Sequence, residues 1–125
     1  MLSYDALYDP PAPIARVILG VANGATVSDV RLLLDTGADT TLLPRSAIAQ
    51  LGVDLDPALA YELIGFDGTR STSKAVDLDM IFLQKNFRGR YLLIDSDCGI
   101  LGRDVLASLI LLFDGPRQEW SQHVS

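Results

Sequence analysis

The sequence predicts an all-β domain, because most of its apolar residues fall in short segments of strand length. Val76, Leu78, Met80 and Phe82 alternate with Asp77 and Asp79, which is typical of a strand with one buried face. Two pairs, Asn23-Gly24 and Asp67-Gly68, lie between such segments and favour tight hairpin turns, since these residues tolerate positive φ angles. Alternation and turn chemistry together therefore indicate the fold class.

The predicted elements can be placed in order along the chain. Strands are predicted over residues 14–22, 25–34, 76–82, 91–94 and 110–113, and a hairpin over residues 61–74. A short helix is predicted over residues 44–51, with Pro44 in its first turn and Gly52 just beyond its end, and a second helix over residues 103–108. Residues 2–8 alternate and could form a short strand, but the prolines within residues 10–13 cannot donate to a ladder.

Length and composition favour one soluble domain. A chain of 125 residues is expected to form a single domain over residues 1–125, with an N-terminal arm (1–13) and a C-terminal tail (115–125). The net charge of −6 argues against nucleic acid or an anionic membrane surface as the main partner. Residues 1–25 lack a basic start and a continuous apolar core, and no apolar run is long enough to cross a bilayer. A cytoplasmic protein is therefore expected.

The residue types disfavour several kinds of site. Cys98 is the only cysteine, so neither an intrachain disulfide nor a cysteine metal cluster can form. His123 is the only histidine and lies in the C-terminal tail, which disfavours a Ser-His-Asp or Cys-His site. We therefore expect neither a metal nor a cofactor.

One carboxylate is approached by a wholly apolar segment. Asp35 follows three leucines at residues 32–34, and a second apolar run begins at residue 42. Because an unpaired carboxylate is costly to desolvate, this placement suggests that Asp35 is held in position for chemistry. Gly37 would let the backbone turn sharply, and Thr36 offers a hydroxyl for a hydrogen bond. The alternative is an ordinary strand that ends in an Asp-Thr-Gly turn.

Two motifs in this chain resemble those of the retropepsins, the dimeric retroviral-type aspartic proteases. Residues 33–39, Leu-Leu-Asp-Thr-Gly-Ala-Asp, are similar to the active-site signature of that family. Residues 99–106, Gly-Ile-Leu-Gly-Arg-Asp-Val-Leu, are similar to its second conserved element. The two motifs occur in the family's order with a hairpin-like segment between them, and the resemblance covers residues 14–114. It implies a closed β-barrel of the acid-protease fold and no cofactor.

The single Asp-Thr-Gly predicts a homodimer. An aspartic protease needs two carboxylates around one water molecule, one to accept its proton and one to polarise the substrate carbonyl. Because this chain carries one such turn, the economical arrangement is a C₂ dimer in which each subunit supplies Asp35. The resemblance implies the same arrangement, a peptide or protein substrate, and a hydrogen bond from Thr36 across the two-fold axis.

The hairpin between the two motifs resembles the retropepsin flap. Its outgoing arm, residues 69–74, contains no apolar residue, which favours a segment that projects from the body. As a flap it would bring Gly65, Phe66, Asp67 and Gly68 to the substrate, opposite Ala38 in the active-site turn. The alternative is a solvent-exposed decoration. The prolines of the N-terminal arm and the extra C-terminal residues depart from the family pattern, and they leave room for a rebuilt terminal sheet.

Arg103 has a role that the resemblance implies. An arginine at the start of a helix is electrostatically unfavourable, because the helix N-terminus is already positive. The family places this residue beside the second aspartate of the active-site turn, here Asp39. A bidentate pair between Arg103 and Asp39 would tie the two motifs together. The alternative is a solvated surface arginine.

The leading prediction is an aspartic endopeptidase. The runner-up is a catalytically weak or inactive retropepsin-fold module for dimerisation or peptide binding, which would keep the fold and the motifs without turnover. Phosphoryl transfer at Asp35 with Mg²⁺ is disfavoured. Gly37 stands where a further acidic ligand would be needed, and the chain has no Gly-rich phosphate loop with a lysine.

Overall fold

The computed structural model describes residues 1–22, 24–53, 55, 60–65 and 67–123. In chain order the elements are β1 (Leu2–Ser3), β2 (Ile14–Gly20), β3 (Thr26–Leu34), β4 (Leu42–Pro44), α1 (Arg45–Leu51), β5 (Ala60–Ile64), β6 (Arg70–Phe82), β7 (Lys85–Asn86), β8 (Gly89–Ile94), β9 (Gly99–Leu101), α2 (Arg103–Leu106), β10 (Leu111–Asp114) and β11 (Glu119–Gln122). The fold is all-β with two short helices, so the predicted fold class is confirmed.

Six of the described strands close into a barrel. Following the hydrogen-bonded neighbours, the ring runs β2, β3, β9, β4, β8, β6 and back to β2. The β3–β9 and β4–β8 pairs are parallel, whereas the remaining pairs of the ring are antiparallel. A closed ring leaves no free edge among its members, so the barrel is a complete scaffold within one chain.

The barrel encloses the hydrophobic core. Its fully buried side chains are mainly aliphatic and come from five of the six strands of the ring: Val17, Leu19, Leu32, Leu43, Leu78, Met80 and Leu101. The alternation predicted for residues 76–82 is confirmed, because Val76, Leu78, Met80 and Phe82 are buried. Burying one such side chain stabilises the fold by about 1.5–3 kcal/mol.

The two helices lie near the predicted positions. Helix α1 begins at Arg45, because Pro44 is still paired in β4, and it ends at Gly52 with a left-handed φ of 69°. Helix α2 is shorter than predicted. After Leu106 the N–H groups of Ser108 and Leu109 bond to the carbonyl three residues back, at 3.1 Å each. These tighter bonds end the α-helix two residues before the predicted boundary.

The β5–β6 hairpin is confirmed, but the predicted register is wrong. A two-residue turn at Asp67-Gly68 would pair Gly65 with Arg70. The structure instead pairs Ile64 with Arg70, and the Gly65 N–H donates to the Thr69 carbonyl at 2.9 Å. The cause is local turn chemistry, since the Asp67 carboxylate accepts the Thr69 N–H at 2.9 Å and Gly68 takes a φ of 83°. Phe66 lies outside the described residues.

The other predicted hairpin also forms. Strands β2 and β3 pair antiparallel, and Gly24 between them has a φ of 88°. Asn23 lies outside the described residues, so the type of turn stays a prediction.

The chain termini form a separate three-stranded sheet in the order β1–β11–β10. The strand near the N-terminus is confined to Leu2–Ser3, and it pairs with residues 119 and 120 of the same chain. Trp120 is fully buried, with its ring 6.0 Å from that of Phe82 on the barrel. The terminal sheet is therefore anchored to the barrel within one subunit. In the described part of the chain, no helix is both long and apolar enough to cross a membrane.

Candidate active site

Asp35 stands at the end of β3, where that strand leaves the barrel. Its N–H donates to the Leu101 carbonyl on β9 at 3.1 Å, which continues the parallel β3–β9 ladder by one bond. The Gly37 N–H donates to the Asp35 carboxylate at 2.9 Å, and the Ala38 N–H donates to the Asp35 carbonyl at 3.3 Å. The half-buried carboxylate of Asp35 is thus held by the Gly37 N–H, and the Asp35 backbone is held by its bonds to Leu101 and Ala38.

The second motif packs directly against this turn. A Cβ atom on Gly102 would lie only 2.7 Å from the carbonyl carbon and oxygen of Thr40, so no larger residue fits without displacing backbone. The N–H of Arg103 donates to the Ala38 carbonyl at 2.8 Å. The two motifs, more than sixty residues apart in sequence, therefore form one unit.

Thr41 and Asp104 hold this unit together, and the sequence reasoning missed both of them. The Thr41 hydroxyl is fully buried and donates to the Asp104 carboxylate at 2.7 Å, while it accepts the Gly102 N–H at 3.1 Å. The second oxygen of Asp104 accepts the Thr41 N–H at 3.0 Å. A signal was present, because Asp104 is the acidic residue in the first turn of α2 and Thr41 directly precedes the apolar run that begins at Leu42.

Arg103 does not make the predicted ion pair. Its guanidinium donates to the backbone carbonyl of Thr36 at 2.6 Å, and no salt bridge between Arg103 and Asp39 occurs among the described residues. Both side chains lie at the surface, where an ion pair adds little stability. Arg103 therefore does link the two motifs, but through the backbone of the active-site turn.

A cleft of about 540 Å³ opens beside Asp35. Its residues come from three places: Asp35, Gly37, Ala38, Asp39 and Thr40 in the turn; Leu63, Ile64, Gly65, Thr69 and Ser71 in the hairpin; and Leu42, Ile94 and Ile100 in the barrel. Predicted site residues from the turn and from the hairpin thus meet in one cleft. Thr36, Asp67, Gly68 and Arg103 do not line it, and Phe66 lies outside the described residues.

The walls of the cleft combine one acidic turn with an aliphatic surface. Leu42, Ile94 and Ile100 extend from the barrel, and Leu63 and Ile64 extend from the hairpin. Such a groove suits apolar side chains of a ligand, while the carboxylates of the turn suit its polar backbone. Within the described residues, no three His, Cys, Asp or Glu side chains are grouped as a metal site would need.

A closed all-β barrel whose Asp-Thr-Gly turn faces a hairpin-lined cleft defines an acid-protease-like domain. When the sequence is compared with known protein families, residues 17–105 match the Aspartyl protease family, and the chain belongs to that family. The match spans both motifs and the hairpin between them, in agreement with the resemblance to retropepsins. No curated protein matches the chain.

Proposed function

We propose that this protein is an aspartic endopeptidase of the retropepsin type, active as a homodimer that joins two Asp35 carboxylates. The observation that carries the proposal is the single Asp-Thr-Gly turn, held rigidly at a cleft, in a chain of the Aspartyl protease family. One subunit offers one such carboxylate, and the chemistry requires two. A second copy of the chain is the simplest source of the other.

The two Asp35 carboxylates of the proposed dimer would share one proton. At a separation of about 3 Å, two negative charges repel by roughly 5 kcal/mol at an effective dielectric constant of about 20. One proton between them removes this repulsion, so the pair holds one acidic and one basic group over a wide pH range. The ionised carboxylate can then accept a proton from water, and the protonated carboxyl group can donate its proton to the substrate carbonyl.

In the first step the ionised carboxylate takes a proton from the water, whose oxygen attacks the carbonyl carbon of the peptide bond. The protonated carboxyl gives its proton to the carbonyl oxygen, which produces a neutral tetrahedral diol. In the second step one diol hydroxyl gives its proton to the ionised carboxylate, and the amide nitrogen accepts the proton of the other carboxyl group. The C–N bond then breaks. The products are an acid and an amine, and the pair again shares one proton.

The β5–β6 hairpin is proposed to be the flap over this site. Five of its residues line the cleft that contains Asp35, which supports a lid more than a decoration. An extended peptide between the turn and the hairpin could bond to the backbone of residues 65–68 as an added strand. Closure would exclude water from the reacting groups.

The surface that joins the subunits is proposed to include β10. Among the described strands β10 has one neighbour, β11, so its outer edge is available for pairing. The edge is apolar, since Leu112 and Phe113 are 55% and 43% exposed. It also follows α2, whose first residue bonds to the active-site turn. Because β1 is already paired within its own chain, an interleaved exchange of N-terminal strands is not needed here.

The decisive experiment replaces Asp35 with Asn. We expect Asp35→Asn to lower kcat at least a thousandfold while the dimer stays folded, because the amide cannot accept the proton of water. Asp29→Asn, on the exposed part of β3, is the matched control. The readouts are cleavage of a peptide library and sedimentation of both variants. Cleavage at the wild-type rate by Asp35→Asn would reject the proposal.

The alternative is a peptide-binding or dimerisation module without turnover. It shares the cleft and the fold, so binding alone does not separate the two functions. Wild-type protein that dimerises and binds extended peptides, but cleaves none of them over hours, would favour the module.

A further inference from the structure

The long strand β6 changes partner along its length. Residues 70–74 pair with β5 in the hairpin, and residues 75–78 pair with β8 in the barrel. Ser73 lies two residues before this change. The proposed flap therefore joins the barrel through a single continuous strand, and the conformation at this junction decides where the hairpin points.

Ser73 is a buried polar residue at that junction. Its side chain is 4% exposed, although residues 69–72 and Lys74 around it are exposed. The hydroxyl oxygen accepts the Leu93 N–H at 2.9 Å. Its proton can be donated to the Lys74 carbonyl at 2.9 Å or to the Leu93 carbonyl at 3.2 Å. A buried hydroxyl is costly unless it is hydrogen-bonded, and this one is satisfied both as donor and as acceptor.

These bonds stand where the backbone ladder between β6 and β8 stops. The last pair of that ladder is Ala75 with Leu92, so in the same register Leu93 would face Lys74. The Ser73 hydroxyl instead accepts the Leu93 N–H, and the Leu93 carbonyl is one of the two acceptors within reach of its proton. A side chain thus replaces the backbone of β6, which lets the strand separate from β8 without leaving Leu93 unpaired.

The same segment leads into the cleft. Ser71, two residues before Ser73 on β6, lines the cleft together with its cross-strand partner Leu63. A change in strand direction at Ser73 therefore moves the hairpin wall of the cleft relative to Asp35. We propose that Ser73 is a positioning residue, the hinge clamp that holds the β5–β6 hairpin over the active-site turn. The catalytic part of this inference rests on the proposed peptidase function.

Removing the hydroxyl should loosen the hairpin. Ser73→Ala leaves the Leu93 N–H and carbonyl without their side-chain partner. The hairpin can then pair further with β8, away from the cleft, or open to water. Amide hydrogen exchange of residues 60–65 and 69–72 should become about tenfold faster, the change expected when a hydrogen bond of this kind is lost. Exchange in β3 should be unchanged.

Three further variants make the test specific. Ser73→Thr keeps the hydroxyl and should restore wild-type exchange. Ser73→Cys keeps the size with a weaker hydrogen bond and should fall between serine and alanine, so it serves if Ser73→Ala does not fold. Thr72→Ala changes an exposed neighbour on the same strand and should have no effect.

Peptide hydrolysis supplies a second readout. In Ser73→Ala, KM should rise about tenfold with kcat changed less than twofold, because substrate must order a looser hairpin around an intact Asp35 turn. The inference is overturned if hairpin exchange in Ser73→Ala matches that in Thr72→Ala, or if exchange rises equally throughout the barrel. The exchange measurement needs no turnover. An inactive wild-type protein would therefore count against the proposed function and not against the clamp.

Discussion

At the scale of single residues, Thr41 and Asp104 show how the Asp-Thr-Gly turn is held by groups outside it. The Thr41 hydroxyl lies between the Asp104 carboxylate and the Gly102 N–H, and all three belong to the contact between the motifs. The bond from the Thr41 hydroxyl to the Asp104 carboxylate is charge-assisted, and such a bond is stronger than one between neutral groups. The position of Asp35 therefore depends on a bond that lies outside the cleft.

Thr41→Val should lower the free energy of unfolding by about 1–3 kcal/mol, because valine keeps the shape but leaves the Gly102 N–H without its acceptor and removes one hydrogen bond to the Asp104 carboxylate. Thr26→Val on the exposed start of β3 is the matched control and should change stability by less than about 0.5 kcal/mol. Urea unfolding measures both. Equal midpoints for the two variants would mean that Thr41 does not hold the motifs together.

At the scale of elements, the β10 edge is the most exposed apolar strand of the terminal sheet. The exposed residues Leu112 and Phe113 lie on this edge strand, which contains neither lysine nor proline to disfavour pairing with another strand. In a monomer such an edge invites pairing with other chains. In the proposed dimer the β10 edge of the second subunit would cover this edge, which would account for the exposed apolar side chains.

Leu112→Lys should weaken the proposed dimer at least tenfold, since each subunit loses a buried leucine worth about 1.5–3 kcal/mol and gains a like charge. The dimer dissociation constant from sedimentation is the measurement, and peptidase activity should fall with dimer content. Ile18→Lys provides the control, because Ile18 is 40% exposed on the outer face of the barrel. If both lysines shift the constant equally, β10 is not the interface.

At the scale of the whole molecule, the buried side chain of Tyr91 makes the stability of the barrel depend on pH. Its side chain is buried in β8, and the hydroxyl donates to the Phe87 carbonyl. Burial raises the pKa of Tyr91 from its ordinary 10.0 to about 12. The folded state therefore holds this proton more tightly than the unfolded chain does. The resulting stability is complete below pH 10 and is lost as the pH rises to about 12.

Two pKa units correspond to roughly 3 kcal/mol, so the free energy of unfolding should fall steeply between about pH 10 and 12. Tyr91→Phe should flatten this part of the curve, because phenylalanine has no proton to lose. Urea unfolding at several alkaline pH values tests the expectation, with the exposed Tyr61 replaced by Phe for comparison. A Tyr91→Phe curve as steep as that of the wild type would contradict it.

Most of the secondary structure and the position of Asp35 follow from local sequence. Alternation placed the strand at residues 76–82, and Gly52 marked the end of α1. The Asp-Thr-Gly turn was also predictable, because the two bonds within it, from the Gly37 and Ala38 N–H groups to Asp35, join residues at most three positions apart. Such local features follow from backbone sterics and turn chemistry, which neighbouring residues decide.

Which distant groups meet depends on the packing of the whole chain and could not be predicted from local sequence. The bond between Thr41 and Asp104 spans 63 positions, and the bonds between Ser73 and Leu93 span 20. The Arg103 guanidinium donates a hydrogen bond to the Thr36 backbone carbonyl, whereas the sequence predicted an ion pair with Asp39. In each case many polar partners were chemically suitable. The choice among them was made by the closure of the barrel, since a hydrogen bond forms only where packing brings donor and acceptor within about 3 Å.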